Sequence, residues 1–223
     1  MSFQPPQYIA IEGPIRVGKS SLARLLSERL HAQTVLDHEN NPFLSEFYEE
    51  RAGAAFRAQM HFLLSRFRRL RELDPAHSRT PVVADFLFEK DKIFAYINLN
   101  DEELRLYEAY YDLLQPQVAA PDLVIYLQAP PQVLRERIVR KARQMGSRME
   151  MGVSEAYLEE VVEAYEHFFF HYRASRLLVI NTAEIDFVER HEDLEELLRR
   201  LTQPVFGTQY FLPLGSESGE EAG

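Results

Sequence analysis

Apolar residues along the chain follow two rhythms. Short, nearly continuous apolar runs at residues 8–12, 34–38, 81–85, 123–128 and 177–181 read as strands buried on both faces. Between them, residues 20–31, 54–73, 101–115, 131–143, 154–172 and 191–202 repeat their apolar positions at helical spacing. Phe56, Met60, Leu63, Leu64, Phe67 and Leu70 form one such stripe. Another is Tyr157, Leu158, Val161, Val162, Tyr165, Phe168 and Phe169, with Ser154 placed to cap it. Buried strands alternating with helices predict an α/β fold, a five-stranded parallel sheet flanked by helices. No internal repeat or linker interrupts the pattern, so residues 1–214 are expected to form a single domain. Residues 215–223 carry no large apolar side chain and read as a disordered acidic tail. The segment 204–213 is rich in aromatics and is expected to dock on the body of the protein or on a partner subunit.

Composition narrows the function classes. The 223 residues are 46% hydrophobic, enough for a substantial core. Cysteine is absent, which excludes disulfides and thiolate metal sites and fits a reducing compartment. Neither a leader-like N-terminus nor a membrane-length apolar run is seen, so a soluble cytoplasmic protein without a membrane partner is expected. The net charge of -10 argues against nucleic acid as partner. Positive charge is instead concentrated locally, in Arg135, Arg137, Arg140, Lys141, Arg143 and Arg148, opposed only by Glu136. Such a run is either a solvated helix face or a surface for a compact anion.

The run from Tyr8 to Glu12 leads directly into Gly13-Pro14-Ile15-Arg16-Val17-Gly18-Lys19-Ser20-Ser21 and then Leu22, Leu25 and Leu26. Strand, glycine-containing loop and helix start in that order make a phosphate loop. The glycines let backbone N–H groups turn inward, Lys19 brings a point charge to the outer phosphates, and the Ser20 hydroxyl can hold Mg²⁺. The positive end of the following helix points at the same anion. A nucleoside triphosphate and Mg²⁺ are the expected ligands, with Gly13, Arg16, Gly18, Lys19, Ser20 and Ser21 around them. In a parallel sheet the ligand lies beyond the carboxyl ends of the strands, where Glu12, Glu39 and Asp85 stand. Asp85 is a candidate metal holder beside Ser20, or alternatively a helix cap. On the 54–73 helix, Gln59, Phe62 and Arg66 border the apolar stripe and offer donors, an acceptor and a ring to a heterocyclic base.

Taken in order, these residues resemble the deoxynucleoside kinase family, in particular the bacterial deoxyadenosine/deoxyguanosine kinases. The likeness rests on the phosphate loop, Glu39 with Asn41-Pro42-Phe43-Leu44 and Phe47-Tyr48, Gln59 to Arg66, Asp85 with Ile93-Phe94-Ala95, Tyr126-Leu127-Gln128-Ala129, the basic stretch, and Asp186-Phe187. It covers nearly the whole chain and implies a P-loop kinase fold with a basic lid, acting as a homodimer. Glu39 then matches the glutamate beside the nucleoside 5′-hydroxyl, the general base. Tyr48 and Glu150 match the residues on the sugar 3′-hydroxyl, Gln59 and Arg66 those at the base edge, and Phe94 the stacking ring. Arg137, Lys141 and Arg143 fall in the lid that closes over the triphosphate, and Phe187 near the ATP adenine.

Two departures stand out. Asp85 is followed by Phe86 and Leu87 where the family has arginine and serine, leaving Arg66, Lys90 or Lys92 to supply the charge. The lid is lengthened by residues 144–149, so either Arg143 or Arg148 is the one that reaches the transferring phosphate. The expected reaction is transfer of the γ-phosphoryl group of ATP to the 5′-hydroxyl of a deoxynucleoside, a purine one by resemblance. A nucleoside monophosphate kinase is the enzyme alternative, and a nucleotide-binding protein without turnover is the alternative from another class. Asp37-His38-Glu39-Asn40-Asn41 puts acids where a charged acceptor would need bases.

Overall fold

The computed structural model describes residues 5–37, 40–145, 153–183, 185–187 and 190–211. In chain order the elements are β1 (Tyr8–Glu12), α1 (Lys19–Leu30), β2 (Gln33–Val35), α2 (Leu44–Tyr48), α3 (Ala54–Leu73), β3 (Val82–Ala84), α4 (Asp91–Asn98) and α5 (Asp101–Leu114). They continue with β4 (Leu123–Gln128), α6 (Pro131–Met145), α7 (Glu155–His171), β5 (Arg176–Asn181), α8 (His191–Leu201) and β6 (Thr208–Phe211). All strands run parallel in one sheet of order β2-β3-β1-β4-β5-β6.

Side-chain alternation divides each strand between two cores. Ile9 and Ile11 of β1 join Ile125, Leu178 and Ile180 on one face, where Leu22 and Leu26 of α1, Leu134 and Ile138 of α6, and Leu194 and Leu197 of α8 cover them. Tyr8 and Ala10 join Val82, Val124 and Val179 on the other, under Leu63 and Leu70 of α3, Tyr107 and Tyr111 of α5, and Tyr165 and Phe169 of α7. Tyr126 lies flat on Phe169, ring centroids 4.0 Å apart, so the strand and helix meet through stacked aromatics. Burial on both faces explains why these strands show no polar alternation in the sequence.

Two helix starts are fixed by side chains. Ser154 caps α7 by accepting from the Tyr157 N–H at 3.1 Å, as its position predicts. Asn100 and Glu103 form a reciprocal capping box at α5.

Among the described residues the sheet has six strands, not the five expected. The sixth is made by the aromatic segment after α8, which pairs with β5 from Leu177↔Thr208 to Ile180↔Phe211. Of its four residues only Phe211 is buried, so it carries no apolar run that sequence alone would mark. The short helices α2 and α4 were likewise not expected as helices. Helix α2 has only five residues and none is buried, which leaves no periodic stripe to detect. The basic stretch lies on a 15-residue helix that runs to Met145, two residues past the expected end, with Leu134, Ile138 and Ala142 buried beneath it. The lengthened part of the lid beyond Met145, with Arg148 and also Glu150, lies outside the described residues. So do the 214/215 boundary and the tail.

The chain leaves β1 towards β2 and leaves β4 towards β5, in opposite directions across the sheet, which opens a crevice at the carboxyl end of β1. Gly13 sits in that crevice with no room for a side chain. A Cβ there would lie 2.2 Å from the Leu127 carbonyl oxygen of β4, a backbone atom that cannot rotate away. Gly13→Ala is therefore expected to cost about 3 kcal/mol and to lower the melting temperature by about 6–12 °C. An unchanged melting curve would show that the loop relaxes freely.

Candidate active site

The loop between β1 and α1 takes its shape from two glycines and one strained residue. Gly13 and Gly18 have φ of 153° and 114°, and Arg16 holds φ 60°, a left-handed conformation uncommon for a side chain-bearing residue. Gly18 then caps α1, which begins at Lys19 and places Ser20 and Ser21 in its first turn. The Lys19 ammonium donates to the carbonyls of Gly13 at 2.6 Å and Pro14 at 3.0 Å, so the loop is folded around its own lysine. Burial pushes the Lys19 pKa down to about 8, and the neighbouring Lys90 adds to this against the pull of Glu12, Asp85 and Asp37.

Ser20 and Asp85 meet at the mouth of the loop. The Ser20 hydroxyl donates to one Asp85 oxygen, and the Asp37 backbone N–H donates to the other. Asp85 is thus not a helix cap; it ties β3 to the start of α1 and to the segment after β2. A hydroxyl and a carboxylate side by side are hard oxygen donors of the kind that hold Mg²⁺ beside phosphates.

Glu12 is fully buried. One oxygen accepts from the Gly13 N–H at 2.8 Å and the Tyr165 hydroxyl at 3.0 Å, the other from the Leu87 N–H at 2.8 Å. Lys90 lies 3.6 Å from that second oxygen and donates to Asp37 at 3.1 Å. Phe86, Leu87 and Phe88, all buried, hold this stretch against the core, and a 3-10 turn at Phe88–Lys90 then delivers Lys90 and Asp91 to the crevice. Of the three cations considered for the position after Asp85, only two are at the strand ends. Lys92 faces away, 3.9 Å from Asp112 and over the Tyr111 ring.

Gln59, Arg66 and Asp91 form one buried unit. The Gln59 amide donates to both the carbonyl and the carboxylate of Asp91 at 2.8 Å, and Tyr107 donates to the same carboxylate at 2.9 Å. Arg66 bridges Asp91 to Asp37, and its guanidinium lies 4.7 Å from the centre of the Phe62 ring. Burial works to raise the Asp37 pKa, but Arg66 and Lys90 outweigh it and hold the carboxyl well below the usual range. At Asp91 burial prevails over Arg66 and the pKa is raised. Asp91 was not among the residues singled out in the sequence. Its only signal there is an acid opening a short apolar helix, which looks like an ordinary first-turn charge.

The remaining expected residues are spread around this centre. Phe94, one turn beyond Lys90, is half-buried and meets Tyr165 edge-on at 6.0 Å. Tyr48 is half-buried and packs at the edge of the core, and Phe187 is buried in the face that carries α1 and α8. Arg137 donates to the Val17 carbonyl of the phosphate loop at 3.2 Å and to Thr182 at the end of β5. It is held, not swinging free. Lys141 is half-buried and Arg143 exposed on the following turns of α6. Glu39 and Glu150 fall outside the described residues.

Comparison with known proteins agrees with this geometry. The family model described as deoxynucleoside kinase matches residues 9–205. A deoxyguanosine kinase of Bacillus subtilis (strain 168) is 33% identical over 162 residues, covering 71% of this chain and 76% of that protein. A deoxyadenosine/deoxycytidine kinase of the same organism is 25% identical over 209 residues, covering 90% and 94%. The structure of deoxyadenosine kinase from M. mycoides with bound dATP superposes with a TM-score of 0.74 at 22% identity, covering 88% of this chain and 100% of that one. A phosphate loop bonded through Ser20 to Asp85, a buried Gln59–Arg66–Asp91 unit in the same crevice, and a family match running from β1 to the end of α8 lead to one assignment: this chain belongs to the deoxynucleoside kinase family.

Proposed function

We propose that this deoxynucleoside kinase transfers the γ-phosphoryl group of Mg·ATP to the 5′-hydroxyl of a purine deoxynucleoside, in the cytoplasm and as a homodimer. The observation that carries the reading is the acidic end of the crevice, where Asp37 and Asp85 meet beside Ser20 of the phosphate loop and Asp91 is buried behind them on Arg66. Carboxylates there repel an acceptor that already bears a phosphate and suit a neutral alcohol. That disfavours a nucleoside monophosphate kinase. The names of the relatives, among them deoxyguanosine kinases of Bacillus subtilis and Lactobacillus species, support the purine assignment.

In this reading Lys19, the loop N–H groups of Gly18, Ser20 and Ser21, Arg16 and the first turn of α1 hold the triphosphate in a loop that Gly13 shapes, with Lys141 and Phe187 on the donor side. Ser20 and Asp85 hold Mg²⁺, which when bound neutralises charge on the phosphate oxygens. Arg137 and Arg143 add positive charge from α6. Phosphoryl transfer passes through a loose transition state, so these fixed charges supply most of the catalysis. Glu39 takes the 5′-hydroxyl proton. Gln59 and Arg66 face the base edge, Phe94 stacks on it, and Tyr48 and Glu150 hold the 3′-hydroxyl. With both amide hydrogens of Gln59 engaged by Asp91, its carbonyl oxygen is the group left to read a donor on the base.

An exposed apolar strip supports the dimer. Leu106, Tyr110 and Leu113 recur along α5 with Tyr96 of α4 beside them, each more than half exposed. Sedimentation at micromolar concentration is expected to show a dimer that Leu106→Glu with Leu113→Glu dissociates; a wild-type monomer would remove this part of the reading.

Assays of ADP formation with deoxyguanosine, deoxyadenosine, deoxycytidine and thymidine are expected to give the highest kcat/KM with one of the purines. Glu39→Gln should lower kcat by about 10²- to 10⁴-fold while preserving nucleoside binding. A pyrimidine preference would sink the purine assignment, and near-normal turnover in the variant would take Glu39 out of the mechanism.

Lys19 gives a pH-dependent signature. Its pKa in the free protein is pushed down to about 8, and bound phosphates favour the charged form, so the pKa must rise on binding. Above pH 8, ATP binding therefore takes up a proton and weakens as the pH rises. Calorimetry at pH 8.5 or so in buffers of different ionisation enthalpy should register this uptake, and Lys19→Arg, always charged, should abolish it. Uptake that survives the substitution would assign the proton elsewhere.

A further inference from the structure

Turnover at this site poses an electrostatic problem. In the reading above, a neutral alcohol enters beside Asp37 and Asp85, with Glu12 and Asp91 buried behind them, yet it leaves as a phosphate monoester carrying about -1.5 to -2 charges. That negative charge is delivered into a wall of carboxylates. Some cation on the acceptor side must meet it.

The cations at the strand ends differ in how far they are committed. Lys19 turns into the donor loop, onto the Gly13 and Pro14 carbonyls. Arg66 is committed through three nitrogens, Nε and Nη2 to Asp37 and Nη1 to Asp91, with its face on Phe62. Lys90 is different. Its ammonium has three N–H groups, and among the described residues one is taken, by Asp37 at 3.1 Å, with Glu12 a looser contact at 3.6 Å. Yet Lys90 is only 5% exposed, where lysine is ordinarily a surface residue.

The backbone shows that this placement is built in. The three buried residues Phe86, Leu87 and Phe88 anchor the stretch, Leu87 donates to Glu12, and the 3-10 turn fixes Lys90 at the start of α4. A buried lysine that served only to balance charge could be replaced, together with its partners, by apolar packing at little cost to stability. Here the ammonium instead stands between the acid that abuts the phosphate loop and the acid whose N–H holds Asp85.

We propose that Lys90 is the acceptor-side cation of phosphoryl transfer, its ammonium contacting the oxygens of the phosphate as they join the nucleoside 5′-oxygen. The bond from phosphorus to the 5′-oxygen forms as the bond to the β,γ-bridging oxygen breaks. The electron pair of the broken bond leaves with ADP, and the hydroxyl proton goes to the base. Lys90 swings from Asp37 to the phosphate, and the triphosphate-facing Lys19 remains on the donor side. The incoming nucleoside offers Lys90 only a neutral hydroxyl oxygen, so its contribution falls mainly on the transition state and the product.

This rests on the acceptor reading above, and the test separates the two. The full-length protein, Lys90→Met and Lys90→Arg are titrated by calorimetry with deoxyguanosine and deoxyadenosine and with the 5′-monophosphate of each, and kcat and KM are measured in parallel. Lys90→Met is expected to leave nucleoside Kd and KM within a few-fold and to weaken monophosphate binding by about 10- to 100-fold, the usual worth of a charge-assisted hydrogen bond. Its kcat should fall by about 10²- to 10³-fold. Lys90→Arg, which keeps the charge, should recover much of the monophosphate affinity. A merely structural lysine would weaken nucleoside and monophosphate alike, and equal losses, or an unchanged monophosphate affinity, would overturn the proposal. If the wild-type protein binds neither nucleoside, it is the acceptor reading that fails.

Discussion

The buried carboxylate of Glu12 is the constraint on which the rest of the site depends. Taking an ionised carboxylate out of water costs several kcal/mol unless its oxygens are supplied with donors. Here the donors come from three separate parts of the chain: the Gly13 N–H of the phosphate loop, the Leu87 N–H beyond β3, and the Tyr165 hydroxyl of α7. Satisfying one charge therefore fixes the loop, the segment after β3 and a long helix relative to one another. Glu12 does this from the end of the central strand, paired to β3 on one side and β4 on the other, so that no neighbour can shift alone.

From that anchor two linked charge systems extend in opposite directions. Towards the nucleotide, Ser20, Asp85 and the Asp37 N–H form a short chain that holds hard oxygen donors beside the loop. Towards α3 and α5, Asp37, Arg66, Asp91, Gln59 and Tyr107 form a second chain, deeper and almost wholly buried. Asp37 belongs to both, giving its backbone to one and its side chain to the other. Oppositely charged groups held this way need not reorganise as the transferring phosphoryl group develops its charge, which is the property that electrostatic catalysis requires. The loop lysine, folded onto its own carbonyls, stands outside both chains.

The phosphate loop and its strand and helix were legible in the sequence because their chemistry is local: glycines, lysine and serine lie within a few residues and act together. Four of the strands and six of the helices were legible for a similar reason, since burial on a sheet or along a helix writes a period into the chain. Strand β2 was found as well, although it stops at Val35, short of the expected end. What the pattern could not show was β6, a parallel edge strand stabilised by pairing with β5 instead of by buried side chains. The same holds for α2, too short and too exposed to carry a periodic stripe.

At the site, the sequence by itself determined that Lys19 and Ser20 belong to one phosphate loop and that Gln59 and Arg66 share a helix edge, and it left Asp85 between a metal holder and a helix cap. The tertiary structure decided the rest. It placed Asp91, which the sequence disguises as an ordinary first-turn acid, where it consumes both amide hydrogens of Gln59 and one arm of Arg66. It also separated Lys90, turned in to Glu12 and Asp37, from Lys92, turned out to Asp112, though only Asp91 stands between them in the chain. The physical reason is that a charge's role is set by what surrounds it on every side. Those surroundings come from strands and helices distant in sequence, and they are fixed only when Phe86, Leu87 and Phe88 are buried and the chain can turn in just one direction.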